Sequence, residues 1–127
     1  MTGENIAIFP KIFGLLAEKP SRYSYLMHNA AIKYHNLDSK YLIFKNNNTE
    51  DFLSAAKKIG ISGLSLTIPH KERGLLICDS VDEHSRIIGA INTIINNNGV
   101  LIGHNTDWMG IVSAFEEKKI DIQYNIY

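Results

Sequence analysis

Apolar residues recur along this chain at two different periods. Residues 6–9 and 12–16 are short apolar runs separated by Pro10, which has no backbone N–H, so they predict strand, break, strand. Residues 25–36 have helical spacing, with Leu26, Ala30 and Lys33 on one line and Met27, Ala31 and Tyr34 beside it; Ser24 is placed to cap that helix. Residues 41–44 are β-rich and stop at Asn46-Asn47-Asn48. Residues 49–59 predict a second helix, with Thr49 as the cap residue, Glu50 and Asp51 following it, and Phe52, Leu53, Ala56 and Ile59 at helical spacing. Lys57, Lys58 and Gly60 supply the charge and glycine biases of its stop.

Residues 63–68 predict a strand halted by Pro69, and residues 71–78 and 82–88 predict short helices. Residues 90–95 and 100–103 predict strands flanking Asn96-Asn97-Asn98-Gly99, a turn sequence because Asn and Gly tolerate left-handed backbone angles. Centred on Asn97 and Asn98, that turn sets Asn92 opposite about Gly103. Residues 107–118 predict a helix with Trp108, Ile111, Val112 and Phe115 on one face. Interleaved strands and helices predict an α/β fold, a single domain whose mixed β-sheet is covered by helices on both faces.

Composition narrows the function classes. The 127 residues carry 13 Lys+Arg against 13 Asp+Glu, which argues against the basic footprint of a nucleic-acid binder. No apolar run approaches the ~20 residues of a membrane span, and residues 1–5 lack the features of a signal peptide. Cys78 is the single cysteine; it reads as a small core residue and fits a reducing compartment, so a cytoplasmic location is expected. The five histidines have no zinc-ligand spacing, and no metal site is expected. The signatures G-x-G-x-x-G, P-loop, H-E-x-x-H and G-x-S-x-G do not occur.

Three segments are polar where a strand meets a loop. In Ser65-Leu66-Thr67-Ile68-Pro69-His70-Lys71, alternation puts Ser65 and Thr67 on one face, and Pro69 projects Lys71 from the strand end. Two hydroxyls and an ammonium suit a polyol or a carboxylate; solvent-facing hydroxyls and a surface lysine are the plainer alternative. The other two segments are Gly89-Ala90-Ile91-Asn92-Thr93 and Gly103-His104-Asn105-Thr106-Asp107. Antiparallel pairing brings Asn92 and the Asn105-Thr106-Asp107 run to one end of the hairpin. Asp107 also suits the N-cap of the helix that follows, at a junction where α/β proteins place ligands.

In order and separation these three segments resemble the substrate site of shikimate dehydrogenases, and His28-Asn29-Ala30-Ala31 resembles the helix after that family's first substrate loop. The resemblance covers about residues 12–117. Ser65 together with Pro69-His70-Lys71 is similar to the plant and bifunctional dehydroquinase–dehydrogenase members. The resemblance implies reversible NADP-dependent reduction of 3-dehydroshikimate to shikimate. It makes Lys71 the catalytic lysine and Asp107 its carboxylate partner, and it places Ser65, Thr67, Asn92 and Thr106 in the substrate site. Moving a hydride from an alcohol carbon requires a proton to leave its oxygen, so a base must be within reach. A neighbouring carboxylate favours a lysine's ammonium form, so Lys71 and Asp107 are expected to act as a coupled pair.

The family's first loop carries Ser-x-Ser-Pro, whose hydroxyls hold the substrate carboxylate. Here Ser21-Arg22-Tyr23-Ser24-Tyr25 stands in its place. Ser24 matches the second serine, Arg22 falls at the first, and Tyr25 replaces the proline. Arg22 can bind a carboxylate as a bidentate pair. The change is equally compatible with quinate-type specificity, or with a non-catalytic small-acid sensor or interaction module on the same fold. Family enzymes continue into an NADP-binding domain, whereas residues 120–127 show no glycine-rich turn. The expectation is therefore that residues 1–127 form the substrate-binding half, that NADP is bound by a partner domain, and that this chain alone does not turn over.

Overall fold

The computed structural model describes residues 9–120. Of the strand expected at residues 6–9, all but Phe9 lies outside the described residues, as does the stretch 121–127. A six-stranded sheet has the order β2 (Ser39–Lys45), β1 (Lys11–Ala17), β3 (Gly63–Leu66), β5 (Thr93–Asn97), β6 (Val100–His104), β4 (Ser80–Val81). β1 pairs in parallel with β2 and β3, and β6 with β4, while β5 is antiparallel to both its neighbours. The helices are α1 (Tyr23–Tyr34), α2 (Thr49–Ile59), α3 (His70–Ile77), α4 (Glu83–Ile88) and α5 (Asp107–Glu117). The architecture is the mixed-sheet α/β domain that the sequence predicts.

Alternation along β1 separates two cores. Leu16 joins Leu64, Leu66 and Ile94 against Leu53 and Ala56 of α2. Its neighbours Leu15 and Ala17 join Tyr41 on the opposite face, where Phe13 and Ile32 of α1 cover them. α1 itself buries no residue. It is held at the sheet edge by Asn29, whose Nδ2 donates to the Tyr41 carbonyl at 2.8 Å and whose Oδ1 accepts the Tyr41 N–H at 3.1 Å. This occupies backbone groups that an edge strand otherwise leaves open. His28 stacks on the Tyr41 ring at 4.2 Å.

Several boundaries differ from expectation for identifiable reasons. Ser24 is not the α1 cap: the helix starts at Tyr23, whose N–H is taken by the Ser21 hydroxyl at 3.2 Å, and Arg22 occupies the cap position. Thr49 is not the α2 cap either. Asn48 fills that role, accepting the Asp51 N–H at 3.0 Å, because the Thr49 hydroxyl donates to Nδ1 of the fully buried His70 at 2.8 Å. His70 Nε2 donates to the Asn46 carbonyl at 2.9 Å, tying the β2–α2 corner to α3. β3 ends at Leu66 rather than residue 68, because the Thr67 carbonyl already accepts the His70 N–H at 2.8 Å, closing a turn over a cis Ile68–Pro69 peptide.

The hairpin turn is centred on Asn98 and Gly99, with φ of 51° and 90°, rather than on Asn97 and Asn98. Glycine and asparagine are the residues that accept this geometry at least cost. Thr93 therefore pairs with His104, which puts Asn92 level with Asn105 instead of Gly103, and β5 runs from Thr93 to Asn97 rather than over residues 90–95. β4 has two residues, too short to leave a periodic signal. Cys78 packs against the main core, and burial pushes its thiol up to about 11, so it is an inert packing residue.

The Asp82 side chain caps α4, accepting the Ser85 N–H at 2.9 Å and the Ser85 hydroxyl at 2.7 Å. These bonds, helped by His104, hold its carboxyl down at about 2. A carboxyl depressed by folding contributes fully above its unfolded value near ~4 and loses that contribution as pH falls through the folded value. Asp82→Ala should therefore destabilise the protein by about 1 kcal/mol at neutral pH. In urea unfolding the gap from the unaltered protein should close as pH drops from about 4 toward 2; a gap constant with pH would refute the cap.

Candidate functional site

Because only β5 runs against the others, β1, β3 and β6 end at the edge where β5 begins. Backbone hydrogen bonds close that edge. The Leu66 N–H donates to the Asn92 carbonyl at 2.7 Å, the Asn92 N–H to the His104 carbonyl at 3.0 Å, and the Ile91 N–H to the Lys71 carbonyl at 3.0 Å. The start of α3, the segment before β5 and the end of β6 are thereby bonded to one another.

Four of the expected site residues converge there. Lys71 Nζ donates to Asp107 Oδ2 at 2.6 Å, and Asn92 Nδ2 donates to Asp107 Oδ1 at 2.7 Å, so each carboxylate oxygen has its own donor. Asn92 Nδ2 also lies 2.9 Å from the Thr106 hydroxyl, and Asn92 Oδ1 accepts the Thr106 N–H at 3.0 Å. The hydrogen bond from Lys71, and secondarily the one from Asn92, hold the Asp107 carboxyl below the usual carboxylate range against the opposing effect of partial burial. The side chains of Lys71 and Asp107 are 31% and 50% exposed, so a ligand can reach both. An ion pair this open adds only about 0–1 kcal/mol to stability. The Lys71–Asp107 pair is therefore a minor part of fold stability.

Asp107 is the first residue of α5 and not its cap; Thr106 holds the cap position, and the Asp107 N–H is taken by Asn105 Oδ1 at 3.0 Å. Among the described residues, Arg22, Ser24, Ser65 and Thr67 make no hydrogen bond to the cluster. Ser65 instead lines a cleft of about 450 Å³ on the α1 face, with Thr93, His28, Tyr41 and Phe13. This largely apolar cleft adjoins the cluster without containing Lys71 or Asp107; the chemistry sits at the strand ends, where charge and donors converge. The Tyr41 hydroxyl is buried without a well-formed hydrogen bond, the Ser65 hydroxyl lying near it but out of bonding geometry. Sequence reasoning assigned no role to Asn29, which seats α1 and with it Ser24, or to Thr93, whose hydroxyl donates to Asn92 Oδ1 at 2.9 Å. Both lie within the quoted segments, and only their partners were invisible.

Fold and cluster together define a mixed-sheet α/β domain with a lysine–carboxylate pair at the strand ends. The family model for the shikimate dehydrogenase substrate binding domain matches residues 19–94. A shikimate dehydrogenase (NADP(+)) of Geobacillus kaustophilus is 41% identical over 112 residues, which are 85% of this chain and 40% of that protein. The crystal structure of shikimate dehydrogenase 1 from Peptoclostridium difficile superposes with TM-score 0.81 at 34% identity, covering 88% of this chain and 43% of that one. A Listeria monocytogenes shikimate 5-dehydrogenase in complex with shikimate and NAD superposes with TM-score 0.79 at 32% identity, over 89% of this chain and 40% of that one. The chain belongs to the shikimate dehydrogenase substrate-binding domain family, and it spans about 40% of the length of these relatives.

The described residues offer no cradle for the pyrophosphate of the nicotinamide cofactor in those names. No glycine lies in the strand-to-helix turns 18–22, 46–48, 67–69 or 105–106, and α2, α3, α4 and α5 each carry an acid in the first turn. A pyrophosphate needs close backbone approach and a helix N-terminus free of negative charge.

Removing the Lys71 ammonium should raise the Asp107 carboxyl toward its ordinary value. Carbon-13 NMR titration should show a larger rise in Lys71→Ala than in Asn92→Ala, matching the order of their effects. Equal titration in all three proteins would contradict the shared grip.

Proposed function

We propose that this chain is the substrate-binding half of a shikimate dehydrogenase, holding shikimate or 3-dehydroshikimate at the strand-end cluster. The observation that carries the reading is the Lys71–Asp107–Asn92 contact, at 2.6 and 2.7 Å. Thr67, Asn92 and Thr106 offer donors and acceptors to substrate hydroxyls, and Ser65 a further polar contact. In this reading Arg22 and Ser24, at the start of α1, take the substrate carboxylate, Arg22 as a bidentate pair. Interconversion of the alcohol and the ketone moves a hydride at carbon and a proton at oxygen; the residues here handle the proton.

Asp107 is a poor proton acceptor because two donors stabilise its ionised form, so Lys71 is the member of the pair that carries the proton. In the reducing direction the Lys71 ammonium donates to the substrate oxygen as charge develops there, while Asp107 and Asn92 hold the Nζ in place. In the oxidising direction the step runs in reverse, from the neutral Lys71 amine left when the ammonium has given up one proton: the hydroxyl proton passes to Nζ. NADP, when bound by the rest of the enzyme, supplies or accepts the hydride. A cytoplasmic setting belongs to this reading and is supported by the single cysteine, which leaves no disulfide within these 127 residues. Nothing in the fold or the comparisons favours the sensor-module alternative.

Titrating shikimate into the labelled protein should shift amide signals of Thr67, Lys71, Asn92 and Thr106. Their silence at millimolar ligand would refute the reading, and stronger competition by quinate would reassign the substrate. In the chain joined to a cofactor-binding domain, Lys71→Ala should lower kcat about 100-fold or more, with KM changed far less. A rate near that of the unaltered enzyme would remove Lys71 from proton transfer.

A further inference from the structure

We propose that Asn105 is a positioning residue for the proton-handling pair, setting Asp107 where Lys71 and Asn92 can both grip it. The proposal rests on the reading of Lys71 and Asp107 given above. Asn105 lies in the turn between β6 and α5 yet is only 6% exposed, while the adjacent Thr106 and Asp107 are exposed. Its Oδ1 accepts the Asp107 N–H at 3.0 Å, and its Nδ2 donates to the Ala90 carbonyl at 3.0 Å. Asp107 opens α5, so its N–H has no acceptor within the helix. Ala90 precedes β5, so its carbonyl is outside the strand ladder. One buried amide therefore serves two backbone groups on separate segments.

Asn92 spans the same gap in the opposite direction. It rises from the segment that Asn105 holds, and its Oδ1 and Nδ2 reach the Thr106 N–H and Asp107 Oδ1. Each asparagine fixes the backbone on which the other's partners stand. The Asp107 side chain is short, and its contacts of 2.6 and 2.7 Å to two different donors survive only while its own backbone stays in place. Hydrogen bonds weaken steeply once such distances lengthen or angles bend. Without Asn105, the Asp107 N–H and the Ala90 carbonyl must seek water, and the turn is free to move away from Lys71.

The test is the carboxyl titration of Asp107 by carbon-13 NMR in the ligand-free protein, with Asp82 as internal reference. Asn105→Ala should raise the Asp107 midpoint toward the ordinary carboxylate range and leave Asp82 unmoved. It should also weaken shikimate binding roughly five- to tenfold. An unmoved Asp107 midpoint in the folded variant overturns the proposal, whatever happens to its Tm. If Asn105→Ala does not fold, hydrogen exchange at the Asp107 amide of the unaltered protein decides: protection supports the Asn105 bond, and exchange at the free-amide rate overturns it. Failure of the unaltered protein to bind shikimate would count against the functional reading alone, because the Asp107 titration needs no ligand.

Discussion

The register of the β5–β6 hairpin is the constraint on which the site depends. Its two-residue turn closes between Asn97 and Val100, with positive φ at Asn98 and Gly99, and everything from Thr93↔His104 outward follows. A slip of one residue would turn each side chain of one strand to the opposite face of the sheet. Asn92 would then point away from Thr106 and Asp107, and the 2.7 Å contact that orients the carboxylate could not form. β5 is also the strand that opposes its neighbours, so its first residues lie beside the last residues of β3 and β6. A parallel strand in that place would start at the far edge of the sheet.

Stability and chemistry are carried by different parts of the fold. One sheet face is sealed by Leu16, Leu53, Leu64, Leu66, Ile91 and Ile94, and the fully buried His70 binds its loops with two hydrogen bonds. Gly103 lets Ile91 pack without clash, since a Cβ there would stand 2.9 Å from the Ile91 Cδ1. The fully buried Ile91 in turn anchors the neighbouring Asn92. The other face is covered more lightly: α1 buries no residue and relies on Asn29, the His28–Tyr41 stack and Ile32. The half-exposed site thus rests on a well-packed floor beside a helix attached through few contacts.

Much of the fold was legible because its signals are local. The α2 stop is written in Lys57, Lys58 and Gly60, the hairpin in its asparagines and Gly99, and the strand-end position of Lys71 in Pro69. Cap assignments failed for two reasons: the Thr49 hydroxyl is engaged by His70, 21 residues away, and the Ser21 hydroxyl starts α1 ahead of Ser24. β4 was invisible because two residues carry no period and their pairing is supplied by β6.

By itself, the sequence determined the class of fold and the meeting of Asn92 with the Asn105-Thr106-Asp107 run at one hairpin end, because short-range turn chemistry and residue alternation suffice for these; the family was legible only through the likeness of its motifs to those of known proteins. Only the tertiary structure decided which atoms meet. Lys71 reaches Asp107 from 36 positions away, and Asn29 takes the backbone of Tyr41 from 12 away. Contacts at such separations depend on how helices and strands pack, and no local pattern in the chain encodes them.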